Sequence, residues 1–348
     1  MSVQGGMTYT RSVGAILRLL LVAGSFWAPS SAYADEVADF YRGKRITLYV
    51  GSSPGDATDL YGRVVGGFMS KHIPGNPLIV LQNMPGANGL VSANYLYNVA
   101  LKDGTTLGTF SRYAVNETLW KNKAALFQPE KFNWIGNVHT DVSTCVVWHT
   151  TGVAGLSDFM TRDLKIGVTS ESHVNILNRV FSAKLRAIKG YKGGAEIVLA
   201  MERGEVDGRC NWSWSAIMAT RPDWVRDKKI NAIIQFAHKK LPELSDVPLI
   251  SELATTDRQR EIIDLILMSQ ELSHVIVAPP DVPTERIAAL RLAFDKTMSD
   301  PEFMAAAASR DIPVGPTSGS EVQKLVTQMV GTPPDVVQTF YEAVGSEF

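Results

Sequence analysis

The segment Gly51-Ser52-Ser53-Pro54-Gly55 has the spacing of a serine nucleophile on a strand-to-helix turn. Acyl transfer at such a serine needs the backbone N–H of the next residue to stabilise an oxyanion. Here that residue is Pro54, which has no N–H. A missing oxyanion donor forfeits about 2.7–4 kcal/mol of transition-state stabilisation, so the loop reads as a binding turn and the chain is not expected to be an enzyme. A glycine-containing turn that opens a helix offers backbone N–H groups and the positive end of the helix dipole to an anion. In this loop the candidate ligand contacts are Ser52, Ser53, Gly55, Asp56 and Thr58, with Thr58 and Asp59 as plausible helix caps.

The arrangement recurs twice. Asn83-Met84-Pro85-Gly86-Ala87-Asn88-Gly89 precedes a helical stretch and contributes Gly86, Ala87 and Asn88. Thr169-Ser170-Glu171-Ser172 precedes another and contributes Thr169, Ser170 and Ser172. Arg112 and Tyr113 follow a third strand, and Asp207, Arg209 and Trp212 (with Trp214) cluster further on. An arginine fork matches a carboxylate bidentately, and an aromatic wall suits a flat or bulky ligand. Together these residues point to a mono- or dicarboxylate with an apolar or aromatic body. A plainer reading places Arg209 on the surface and one tryptophan in the core. Asp56 and Glu171 would repel an anion unless they face solvent or meet a ligand amine or hydroxyl.

Other chemistries lack their residues. There is no G-x-x-x-x-G-K-[ST] and no G-x-G-x-x-G, so no nucleotide cofactor is expected. The histidines His72, His139, His149, His173, His238 and His274 include no i,i+4 pair and no H-E-x-x-H, so no metal is expected either. Lys and Arg number 34 against 35 acids, a net charge of −1 that argues against a nucleic-acid partner.

These loops need a scaffold, and the hydrophobic pattern supplies one. Ile46–Val50, Leu78–Gln82 and Thr106–Phe110 read as strands, with helices over 59–72 and 89–99 between them. Strand and helix in alternation predict a mainly parallel sheet with right-handed crossovers and an α/β fold. The three loops then fall at the carboxyl ends of strands, where open α/β sheets place ligands. The pattern restarts with strands at 165–169, 206–210 and 230–237 and helices over 173–188 and 195–203. A strand at 273–278 and a mostly helical tail from Pro283 follow. A length of 348 residues suits two such units, and the lack of a flexible linker predicts strands that cross between them.

The first 34 residues read as a secretory signal peptide: Arg11 and Arg18, an apolar run from Leu19 to Trp27, and Ala32-Tyr33-Ala34 as cleavage site. The run is too short to span a bilayer. Export opens two readings of the two cysteines, Cys145 and Cys210: buried free thiols, or a disulfide.

In order and spacing, several segments resemble the extracytoplasmic solute receptors of tripartite tricarboxylate transporters, the Bug or TctC family. They are Phe40-Tyr41-Arg42-Gly43-Lys44, Pro54-Gly55 with Thr58-Asp59, Pro85-Gly86-Ala87-Asn88-Gly89, Asn94-Tyr95-Leu96-Tyr97-Asn98, Lys102-Asp103-Gly104-Thr105, Gly190-Tyr191-Lys192-Gly193-Gly194, Gly204-Glu205-Val206-Asp207-Gly208, Leu244-Ser245-Asp246-Val247-Pro248 and Val277-Ala278-Pro279-Pro280-Asp281-Val282-Pro283. Asp56 and Asn88 stand where the family usually has glycine. The resemblance implies a two-lobed, hinged periplasmic binding protein, each lobe a mainly parallel sheet flanked by helices. Residues 35–138 and 272–348 would form one lobe and 139–271 the other. It also implies a monomer that captures a small organic anion between lobes without a cofactor and docks on integral-membrane permease subunits. Within the same fold, a receptor that signals to a membrane sensor is the alternative.

Overall fold

The computed structural model describes residues 30–191 and 193–344. Residues 1–29 of the expected signal peptide lie outside the described residues, and Ser30–Ala34 open the first helix, α1 (Ser30–Tyr41). The first sheet is laid down by β1 (Arg45–Val50), α2 (Ala57–Met69), β2 (Leu78–Asn83), α3 (Leu90–Asn98), β3 (Thr106–Thr109), α4 (Arg112–Leu119) and β4 (Asn133–Asn137). In β1 the alternation is strict: Ile46, Leu48 and Val50 are buried while Arg45, Thr47 and Tyr49 are not. That period of two matches the pleat and fixes which face packs. On α2, Tyr61, Val64, Val65 and Met69 repeat at helical spacing and are all buried.

The second sheet follows: β5 (Ser143–Trp148), α5 (Leu156–Thr161), β6 (Leu164–Gly167), α6 (Ser172–Phe181), β7 (Leu185–Ile188), α7 (Gly194–Glu202), β8 (Gly208–Ser213), α8 (Trp214–Thr220), α9 (Pro222–Arg226) and β9 (Ile230–Phe236). The chain then runs through α10 (Asp257–Gln270) back to the first sheet with β10 (Val275–Ala278), α11 (Thr284–Met298), α12 (Pro301–Ala308), β11 (Thr317–Ser318), α13 (Gly319–Val330) and α14 (Pro334–Val344).

Strand order is β11-β4-β10-β3-β1-β2 in the first sheet and β7-β6-β8-β5-β9 in the second. Each sheet carries a parallel set, β2-β1-β3 and β7-β6-β8. Its main reversed strand is β10 in the first and β5 in the second. These two lie beside the crossings between sheets. β5 is the first strand after the chain leaves β4, and β10 is the first after it returns through α10.

Several element boundaries differ from the sequence reading. The single helix expected over 173–188 is α6 followed by β7. Ser182, at φ 57°, ends α6 in a left-handed turn. β8 begins at Gly208, two residues later than expected, because Glu205–Asp207 complete the turn out of α7. β4 was not expected, since Asn-Trp-Ile-Gly-Asn hides its pattern behind polar ends and a glycine. Gly136 is required there: a Cβ would lie 2.1 Å from the Phe294 ring. Also unexpected was α10, which a reciprocal capping box of Thr256 and Gln259 opens.

One hydrophobic cluster runs through both sheets, joining Phe110 and Trp134 to Cys145, Ile166, Ile263 and Phe340. The C-terminal α14 packs on α6 and α10. Asn175 Nδ2 donates to the Val344 carbonyl over 3.0 Å, and the Trp120 and Phe340 rings stack at 6.5 Å. A disulfide joins Cys145 on β5 to Cys210 on β8, settling the two readings of the cysteines. Among the described residues no helix is long and apolar enough to cross a membrane.

Candidate functional site: the strand exits and the crossing between sheets

The exits of β1, β2 and β3 meet at glycine contacts. A Cβ on Gly51 would lie 2.4 Å from Ser92 Oγ, 2.9 Å from Phe110 Cβ and 3.2 Å from the Gly89 Cα. One on Gly89 would lie 3.0 Å from Phe110 Cβ and 3.2 Å from the Ser111 nitrogen. Hydrogen alone fits at both positions, and that lets the three loops converge.

The first loop is not the open nest of amides its sequence predicts. The Ser53 N–H donates to Asp56 Oδ2 (3.2 Å), and the Gly55 N–H donates to Asp59 Oδ2 (2.9 Å). Asp59 is 1% exposed and also accepts from Arg63 Nε (2.8 Å), Arg63 Nη2 (2.9 Å) and Asn83 Nδ2 (2.8 Å). The Arg63 guanidinium, aided by the Gly55 and Asn83 donors and opposed by burial, holds the Asp59 carboxyl down at about 2. Asp56, exposed, occupies the N-cap position of α2 instead of Thr58 or Asp59. The Ser52 and Ser53 side chains line this loop with Ser53 exposed.

The second loop carries the backbone strain. Gly86, Ala87, Asn88 and Gly89 have φ of 142°, 43°, 52° and 92°. A left-handed non-glycine residue costs roughly 1–2 kcal/mol, and such strain concentrates at functional sites. Gly86, Ala87 and Asn88 are exposed, and the amides of Ala87 and Asn88 make no hydrogen bond among the described residues.

Arg112 stands at the head of α4, just past the cap where Ser111 Oγ accepts from the Tyr113 N–H at 3.3 Å. Its Nη1 donates to Ser273 Oγ over 3.3 Å, and its guanidinium lies 5.2 Å from the Tyr113 ring. It forms no ion pair among the described residues. From the second sheet, α6 brings Ser172 and the buried His173 to the same region. Burial, and then the charge of Arg112, push His173 down to about 3. Ser170 Oγ donates to Ser172 Oγ at 3.0 Å. Thr169 is exposed beside them. Glu171 is engaged by Lys189 Nζ at 3.1 Å, so its charge is neutralised locally.

The last cluster divides. Asp207 is engaged by the scaffold: its Oδ2 accepts from the Lys165 N–H at 2.7 Å. It lies at the amino end of β8, whereas parallel strands present ligands at their carboxyl ends. Trp212 is 4% exposed and packs in the core, 6.4 Å from the Trp224 ring. Arg209 lies over Trp212 at 4.5 Å and donates to the Gly194 carbonyl over 3.3 Å at the start of α7. Burial alone pulls its guanidinium down to about 10. Asn211 is left-handed, at φ 55°, where the pairing of β8 with β5 shifts register, and Cys210 and Trp212 fall in different core clusters.

Sequence reasoning missed the polar knot where the chain crosses between sheets. Asp141 accepts from Ser213 Oγ (3.1 Å) and Ser215 Oγ (3.3 Å), with His139 Nε2 at 3.3 Å and His274 Nε2 at 3.7 Å. Burial opposes its ionisation, but the two histidines prevail and hold it well below the usual carboxylate range. His274 also stacks on Tyr61, ring centres 3.6 Å apart. His139 and Asp141 are close in the chain, but His274 is more than a hundred positions away, too far for spacing to bring it to them. Among the described residues no group of three or more His, Cys, Asp or Glu is arranged to hold a metal.

A cavity of about 770 Å³ lies elsewhere, lined by Trp120, Phe127, Pro129, Val337 and Tyr341 among others. None of the residues singled out from sequence lines it.

No protein family model and no curated protein matches the chain. Solved structures do. A ligand-free TctC solute-binding protein from Polaromonas is 15% identical, over 86% of this chain and 99% of its own, with a TM-score of 0.68. The periplasmic binding protein BugD is 18% identical over 87% and 98%, at 0.56. MatC from Rhodopseudomonas palustris, with bound malate, is 18% identical over 86% and 99%, at 0.54. The chain therefore has the fold of the TctC and Bug periplasmic solute-binding proteins.

Proposed function

We propose that the protein is an exported solute receptor, with residues 35–138 plus 272–348 as one lobe and 139–271 as the other. It binds a small mono- or dicarboxylate between them and delivers it to the permease subunits of a membrane transporter. The observation that carries this reading is Arg112. A half-buried guanidinium with no acid partner among the described residues stands between the strained loop at 86–89 and the start of α6. A ligand carboxylate supplies the missing counter-ion, and closing the lobes removes the pair from water, where it is worth most. Asp56 stays exposed beside the first loop, which disfavours a triply charged ligand such as citrate. The ligand is bound and released unchanged, so the chain works without catalysis or cofactor.

The test is a thermal-shift screen of the mature protein against C4 dicarboxylates, aromatic mono- and dicarboxylates, citrate, amino acids, sugars and polyamines. A ligand at 100 times its dissociation constant stabilises by about 2.7 kcal/mol, or about 4 °C for a chain of this size. The response should come from mono- and dicarboxylates. A sugar or polyamine response without any carboxylate response sinks the reading.

A further inference from the structure

We propose that Gln270 and His173 are positioning residues that fix Ser172 as a hydrogen-bond donor toward a ligand carboxylate held by Arg112. The proposal rests on the receptor reading above and specifies how the same cleft selects an acceptor.

The amide nitrogen of Gln270 can only donate, and it lies 3.4 Å from His173 Nε2. Nε2 is therefore the acceptor, and a neutral imidazole then carries its proton on Nδ1. Nδ1 lies 3.2 Å from Ser172 Oγ and donates to it. Ser170 Oγ donates to the same oxygen at 3.0 Å. Two donors fill the lone pairs of Ser172 Oγ, and its own proton has no acceptor among the described residues. The hydroxyl is left to donate, at the start of α6, beside the His173 ring that the charge of Arg112 reaches.

The ring is held for this role. His173 is 4% exposed and packs 4.2 Å from the Phe236 ring of β9. The charge that reaches it is Arg112 on α4, which disfavours the imidazolium. The acids nearby in sequence are engaged elsewhere, Glu171 with Lys189 and Glu271 with His238 at 3.3 Å. His274, the last residue of the loop between α10 and β10, is tied to Asp141. Gln270 is the last residue of α10 and 6% exposed, and Asn116 Oδ1 of α4 accepts from its neighbour Ser269 at 3.0 Å. The relay thus joins elements of both sheets.

The experiment is titration calorimetry of the mature protein with malate, adipate, benzoate and phthalate, carrying forward the tightest binder. Ser172→Ala should weaken binding about tenfold or more, the range for a hydrogen bond to a charged group, and Ser172→Thr should restore most of it. Wild-type affinity should be flat from about pH 6 to 8, because His173 stays neutral there. In Gln270→Glu the new carboxylate accepts from Nε2, the neutral ring presents a bare Nδ1, and Ser172 turns its proton inward. Binding should then fall about tenfold near pH 8 and recover toward pH 6 as the ring gains a second proton and Nδ1 donates again. A flat profile in Gln270→Glu, whether affinity is kept or lost, overturns the relay while leaving the receptor reading intact. If Gln270→Glu does not fold, Gln270→Met frees the tautomer choice, and unchanged affinity in that variant overturns the relay. Failure of the wild type to bind any of the four overturns the receptor reading and the relay together.

Discussion

At the scale of single residues, the site is organised by which charges are already satisfied. Asp59 is, by Arg63, Asn83 and the Gly55 amide. Arg112 has no acid partner among the described residues; Ser273 accepts from it and the Tyr113 ring lies against it. Arg112→Ala should weaken carboxylate binding by about 2 kcal/mol or more, the scale for truncating a desolvated charged pair. Unchanged affinity by calorimetry would place Arg112 outside the site. Asp59 makes a different prediction. Its pKa is depressed from 3.8 to about 2, so its contribution to stability is complete above the higher value and is lost as pH falls through the lower one. Denaturation curves between about pH 4 and 2 should show wild-type stability falling, and Asp59→Asn, weaker at neutral pH, should fall less over that window. Equal slopes would mean that Asp59 is not held by Arg63 in solution.

Among the elements, the loop at 86–89 matters most, because its conformation is costly and its position depends on a glycine. Gly89→Ala adds a Cβ at φ 92° against Phe110 and Ser111. It should lose about 1–3 kcal/mol of stability and push the three strand exits apart, abolishing binding. Ala87→Gly should do the reverse to stability, gaining about 0.5–1 kcal/mol once the entropy of glycine is set against the relieved left-handed strain. Urea denaturation of the two variants reads both effects. A stabilised Gly89→Ala would show that the loops do not meet as described. The first loop teaches a complementary lesson. Its glycine and serines look like an anion nest, but Asp56 and Asp59 claim the amides of Ser53 and Gly55.

The whole molecule is joined more tightly than two sheets and two crossings require. A single apolar cluster passes between them, the C-terminal α14 packs on both α6 and α10, and Asp141 gathers side chains from both crossings. The Cys145–Cys210 bond ties β5, the strand entered at the first crossing, to β8 across a separation of 65 residues. Loop-closure entropy for such a span is worth about 4 kcal/mol. The double variant Cys145→Ser, Cys210→Ser should therefore melt well below wild type, and wild type should lose a similar amount under reductant. A melting temperature indifferent to reductant would mean that the pair is not formed in solution.

The sequence by itself determined the strands and helices with clean periods, the α/β class, the restart of the pattern in a second unit, and the placement of loops at strand exits. It did so because a burial pattern of period two or 3.6 is local, as in β1 and α2. Glycines and prolines could be located but not interpreted fully: Gly86 and Gly89 were legible as turn residues, while the requirement for Gly51 depends on Ser92 and Phe110. Only the tertiary structure decided which amides are already occupied, that Asp207 bonds the Lys165 amide at the amino end of β8, that Trp212 is core, and that the charge of Arg112 reaches His173. It also decided the cysteine pairing and the knot of His139, Asp141 and His274. The cysteine pairing, the Lys165–Asp207 bond and the His274–Asp141 contact join residues tens to more than a hundred positions apart; Asp56 and Asp59 claim amides only three and four positions away, but which donor meets which acceptor there is set by the folded turn, not by residue type or spacing.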